Sequence, residues 1–96
     1  MEKSVRDKIP EIIEAEGKKI VWRIADDNEY RKMLVSKIKE EASEAEQDGA
    51  KELADVLEAA ICLAESYGTS WKEIEKIAEN KRAERGSFAK RIILEM

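Results

Sequence analysis

Histidine is absent from this chain, and cysteine, proline and phenylalanine each occur once. Without histidine the commonest general base and most zinc sites are excluded. Any bound metal must then rely on oxygen ligands, which points to magnesium or manganese. The single Cys62 forms no intrachain disulfide, fits the reducing cytosol, and falls in a helical pattern as a small buried residue. Aromatic residues are only 5% of the chain while charged residues are 42%, a balance that suits Glu- and Lys-rich surface helices and disfavours a β-sandwich. Long apolar runs are also missing. The run from Ala59 to Ala64 is far short of the roughly 20 residues needed to span a membrane, and the opening MEKSVRDKIP has no apolar signal core. A cytoplasmic protein with no membrane partner is expected.

The formal net charge of −4 argues against binding a nucleic acid polymer, whose affinity rests largely on phosphate neutralisation. A small phosphorylated substrate is still compatible, because ions held by clustered acids invert the local charge. With 96 residues the chain makes one domain, 1–96, with a small core, so a homo-oligomer, dimer or tetramer, is expected.

Along the chain, Pro10 suits the first turn of a short helix that Gly17 stops. In KKIVWRIA, Ile20, Trp22 and Ile24 alternate with Val21 and Arg23, the pattern of a strand. FAKRIILEM offers it a partner through Phe88, Ile92 and Leu94, giving a small two-stranded β ribbon from the two ends of the chain. Asp26 and Glu29 form a capping-box signal opening a long helix to about Gln47. Asp48-Gly49 breaks it, and a second helix runs from about Ala50 to Tyr67, before Gly68. Ser70 and Glu73 start a last helix to about Arg85, with Gly86 beyond it. The fold class is therefore mainly α: a helical hairpin plus further helices in a bundle, with the ribbon beside it.

Two acidic clusters lie on the hairpin: EEASE, with Glu40, Glu41 and Glu44, and ELAD, with Glu52 and Asp55. Residues three apart share a helix face, so each helix offers a carboxylate pair. With the turn at Asp48, Glu44 and Glu52 lie equally far on either side of it, as do Glu41 and Asp55. The four acids then form a box whose layers are roughly 4.5 Å apart at ~1.5 Å per residue, a spacing that suits one or two hard cations. Tyr30, Leu34, Ile38, Ala42 and Ala45 line one face of the first helix, and Glu41 falls inside that arc. Glu44 and Glu52 lie at the stripe margins of their own helices, whereas Glu40 points more toward solvent. Glu41, Glu44, Glu52 and Asp55 thus rank first as metal ligands. Against this stands the plainer reading that a chain with 22 acids yields such spacings by chance, with Lys37, Lys39 and Lys51 making ordinary surface pairs.

EEASE and ELAD, together with VRDKIPEII near the start and NKRAERGSFAKRIILE near the end, resemble the MazG-like all-α nucleoside triphosphate pyrophosphohydrolases, a superfamily that includes phosphoribosyl-ATP pyrophosphohydrolase. The resemblance covers nearly the whole chain. The gap between Glu44 and Glu52 is shorter than in many members. The resemblance implies magnesium-dependent cleavage of a nucleotide between its α and β phosphates to a monophosphate and pyrophosphate, including the clearance of non-canonical nucleotides. Manganese is the expected substitute ion. Glu41, Glu44, Glu52 and Asp55 would ligate metal, while Glu40, with Glu41 the candidate catalytic pair, would complete a second site or orient the attacking water. Such chemistry needs positioning and charge stabilisation more than a covalent nucleophile.

Lys81 and Arg85, one turn apart on the last helix, are candidate phosphate contacts, with Asn80 beside them; they also suit a helix C-terminus simply as cations. Arg6 and Lys8, flanking Asp7 in VRDKIP, are further candidate substrate contacts. Trp22, Tyr30, Trp71 and Phe88 fit the core better than base stacking. The alternatives to an enzyme are a non-catalytic magnesium-nucleotide binding module and a helical adaptor protein.

Overall fold

The computed structural model describes residues 2–95 and contains four α-helices: α1 (Ile9–Ala15), α2 (Asp27–Asp48), α3 (Leu53–Ser66) and α4 (Trp71–Arg85). Local chemistry explains the boundaries. Asp26 accepts from the Glu29 backbone amide at 2.9 Å and caps α2. At α4 the reciprocal capping box is complete, with the Ser70 hydroxyl accepting from the Glu73 amide and the Glu73 carboxylate accepting from the Ser70 amide. At α2 the box is only half made, because the Glu29 carboxylate accepts from Arg23 instead.

Gly49 ends α2 at φ +102°, a conformation that side chains with a Cβ resist, and a 3-10 turn at Ala50–Glu52 leads into α3. α2 and α3 pack as the expected hairpin. Its open end is held by Arg31, whose Nη2 donates to the Ser66 carbonyl at 2.6 Å and whose guanidinium lies 4.7 Å from the centroid of the Tyr67 ring. Of the other helices, α4 packs on α3, and α1 packs on no other helix among the described residues.

The β ribbon is not formed. No strand occurs among the described residues: Lys18–Ala25 runs without a ladder, and the second segment turns at Phe88–Lys90, its last residue, Met96, lying outside the described residues. Alternation supplies a face but not a partner, and an isolated two-stranded ribbon is marginal unless something packs on it. Here Val21, Ile24 and Phe88 are almost wholly exposed. Trp22 is also exposed, so neither Trp22 nor Phe88 is the core residue expected, while Trp71 is half-buried.

Little of the single chain is buried. Ala59 is the only buried apolar residue among those described, and Cys62 is half-buried. The radius of gyration is 17.1 Å, against about 12–13 Å for a compact chain of this length. No helix is long and apolar enough to cross a membrane among the described residues.

Candidate metal centre

The inward face of α2 is made by Leu34, Ile38, Glu41 and Ala45; Tyr30 and Ala42, expected there, are exposed. Glu41 follows Ile38 and precedes Ala45 at helical spacing, so its carboxylate is carried under α3 with the apolar stripe. It is the one buried charged residue among those described, at 6% relative exposure. An ionised carboxylate in such a position requires a partner. Lys37, one turn earlier, places Nζ 3.3 Å from Glu41 Oε1 and 3.9 Å from Glu40 Oε2.

Glu41 is shared by two groups of acids. Carboxylate oxygens of Glu41, Glu52 and Asp55 lie within 4.8 Å of one another, and those of Glu40, Glu41 and Glu44 do likewise. The expected facing of Glu41 and Asp55 across the hairpin is therefore present. Glu52 also acts on Glu44, while the acids whose oxygens converge are Glu52 with Glu41 and Asp55, and Glu44 with Glu40 and Glu41. Glu52 belongs to the 3-10 turn and directly precedes α3. Glu40 is exposed, as expected, yet its carboxylate still reaches Glu41 and Glu44.

Crowding changes the acids' affinity for protons. The Glu41 carboxylate, assisted by desolvation, raises Glu44 above the ordinary carboxylate value. Desolvation, followed by the hydrogen bond with Glu41, raises Glu52. Both effects oppose ionisation, and a divalent cation relieves both. Oxygen-only donors from two helices, one of them buried, fit a hard cation such as magnesium or manganese.

Other candidate residues are placed differently. Arg6, which sequence alone offers only as a substrate contact, donates from Nη2 to Asp55 Oδ1. Lys8 is the exposed N-cap residue of α1, and Asp7 beside it is exposed. Asn80, Lys81 and Arg85 are exposed on the second half of α4, a helix that packs on α3 but not on α2. None of these three residues pairs with a carboxylate of the box among the described residues. Lys37, offered by the sequence only as a partner in ordinary surface pairs, instead pairs with the buried Glu41; its signal was the position four residues before Glu41, where cation and carboxylate meet on a helix.

Two concavities occur near the ends of helices: one lined by Ser87, Phe88 and Lys90–Ile93, the other by Asp27, Tyr30, Arg31 and Ser66. Neither includes a carboxylate of the box. Comparison with models of known protein families, with curated proteins and with solved structures finds no match for this chain.

Proposed function

We propose that this chain is a magnesium-dependent nucleotide pyrophosphohydrolase of the MazG-like kind, with its metal held between α2 and α3. The observation that carries this reading is the buried Glu41 carboxylate, which gathers Glu52 and Asp55 from across the hairpin and Glu40 and Glu44 from its own helix. A structural ion pair needs one acid. Five converge here, with cations among the described residues from only Lys37, Arg6 and the nearby Lys51.

Glu41, Glu44, Glu52 and Asp55 would hold one or two ions, Glu41 being common to both groups of acids. Magnesium, or manganese in its place, would neutralise polyphosphate charge and favour attack by water. Glu40, at the exposed edge of the box, orients that water and takes its proton as the oxygen bonds to the α-phosphorus. The bond from the α-phosphorus to the oxygen bridging it to the β-phosphorus breaks, and pyrophosphate leaves. Arg6, Lys8, Asn80, Lys81 and Arg85 are the available cationic and polar contacts for phosphate.

A second copy of the chain completes the site in this reading. The accessible surface of 8794 Å² exceeds the roughly 5,600 Å² typical of a folded monomer of this mass by an amount that a large subunit interface would cover. Leu53, Leu57 and Ile77 are about half exposed on α3 and α4. Two hairpins pairing through these helices give a four-helix arrangement suited to carboxylate metal sites, with the nucleotide between subunits.

The deciding experiment is thermal unfolding with and without magnesium across a panel of nucleoside triphosphates, followed by assay for pyrophosphate. Magnesium-dependent stabilisation and pyrophosphate from at least one nucleotide establish the enzyme. Binding without product favours the magnesium-nucleotide module, and no response to either ligand favours the helical adaptor.

A further inference from the structure

Arg6 reaches the box from outside the hairpin, 49 residues away in sequence from the acid it contacts. Its Nη2 takes Asp55 Oδ1, and Asp55 is one of the three acids whose oxygens converge on Glu41. The contact is open to water, with the two side chains 58% and 36% exposed, so it is exchangeable rather than locked into a core. A guanidinium stays charged at any working pH, so acid and base do not switch this contact; another cation can. Carboxylate oxygens that accept from Arg6 have fewer lone pairs to offer a divalent ion.

The residues before α1 are also tied at a second point. Arg23 donates to Glu2 at 3.0–3.1 Å and to Glu29 on α2 at 2.6 Å. Arg6 is therefore on a short tether, close to the box whether or not it touches Asp55.

We propose that Arg6 is a built-in competitor for divalent metal: it stands in for the ion at Asp55 in the metal-free chain and is displaced when metal binds. This inference rests on the reading of the carboxylate box as a metal centre. It assigns to the VRDKIP segment a role before any nucleotide arrives, in which a fixed positive charge limits acid repulsion in the empty box and sets the metal concentration at which the box fills.

The test is Mn²⁺ binding to the full chain without nucleotide, read from the electron paramagnetic resonance signal of free Mn²⁺. Arg6→Ala is expected to bind about 3- to 5-fold more tightly than the unaltered chain, the size of effect an exposed charge pair carries. Lys3→Ala, which removes the same charge from the same segment without touching the box, is expected to leave affinity unchanged. Equal or weaker binding by Arg6→Ala overturns the competitor and leaves the metal centre standing. Equal tightening in both variants also overturns it, since a long-range field would then be responsible. Absence of Mn²⁺ binding in all three proteins overturns the metal centre together with the competitor. Hydrogen exchange of the unaltered chain gives an answer should Arg6→Ala not fold: the Ile9 amide, which donates to the Arg6 carbonyl, is expected to exchange faster at saturating Mg²⁺, and unchanged exchange overturns the proposal.

Discussion

Lys37 Nζ lies 3.3 Å from Glu41 Oε1, one helical turn along α2, and is the ammonium group paired with the buried carboxylate of the box. The pair is asymmetric, because Lys37 keeps a quarter of its side chain in water whereas Glu41 keeps 8%. Glu41 depends on Lys37 more than Lys37 depends on Glu41. Lys37→Met should therefore destabilise the chain in EDTA by about 1–2 kcal/mol, the range for a buried group left without its partner. Saturating magnesium should shrink the deficit by supplying a new partner to Glu41. Thermal unfolding in the two conditions decides it, and a deficit that magnesium leaves unchanged would show Glu41 to be no ligand.

Glu41→Gln has the opposite signature. Removing the charge that raises Glu44 and Glu52 relieves repulsion in the metal-free box, although Lys37 loses its nearest partner and retains only Glu40. The expected balance is a higher melting temperature in EDTA. Magnesium-dependent pyrophosphate release should fall by at least about 100-fold, beyond the 10- to 100-fold typical of residues that merely support a metal ligand. Asp55→Asn should lose activity likewise. Near-normal turnover in both variants would remove the site assignment.

How much of this was legible in the sequence follows from the range of the forces involved. Helix ends were readable because their causes are local: Asp26 and Ser70 cap the residues three ahead, and Gly49 and Gly86 supply positive φ where helices stop. The burial of Glu41 was readable because helical periodicity alone puts it among Leu34, Ile38 and Ala45. The grouping of Glu52 with Glu41 and Asp55 was not, since it spans the two arms of the hairpin. Nor was the contact from Arg6 to Asp55, which no local rule connects. The ribbon failed for a related reason: Ile20, Trp22 and Ile24 carry the alternation of a strand, but a strand is stabilised by its neighbour, and none is present among the described residues.

The Arg23 cluster sets a pH dependence whose sign can be worked out. Hydrogen bonds from Arg23 hold both Glu2 and Glu29 below their ordinary value of 4.5. A carboxylate with a lowered folded value adds stability that is fully present above 4.5 and lost as pH falls through the folded value. Glu44 and Glu52 act in the reverse sense in the metal-free chain, since groups held above the ordinary value lose stability as pH rises through that range. Arg23→Gln should therefore lower the melting temperature at pH 6, and its melting curve should converge with that of the unaltered chain as pH falls below 4.5 and Glu2 and Glu29 become protonated. A difference that stays constant over this range would show that Arg23 contributes by packing rather than by charge.

Leu53 and Leu57 are one turn apart on α3 and 52% and 48% exposed. Isolated exposed leucines need no explanation, but these belong to a chain with one buried apolar residue among those described and a radius of gyration of 17.1 Å. A second copy covering α3 would bury Leu57 and remove it from water, a gain of about 1.5–3 kcal/mol for a full leucine and roughly half that for the exposed part. In a twofold assembly the loss counts twice, and a lysine ammonium at the same place must also be desolvated. Leu57→Lys should therefore shift sedimentation from oligomer toward monomer at micromolar concentration. On the proposed reading, with the nucleotide between subunits, pyrophosphate release should fall with dissociation and recover as protein concentration rises. An oligomer unchanged by Leu57→Lys would move the interface off α3, and a monomeric parent chain that still turns over nucleotide would show that one hairpin suffices for the chemistry.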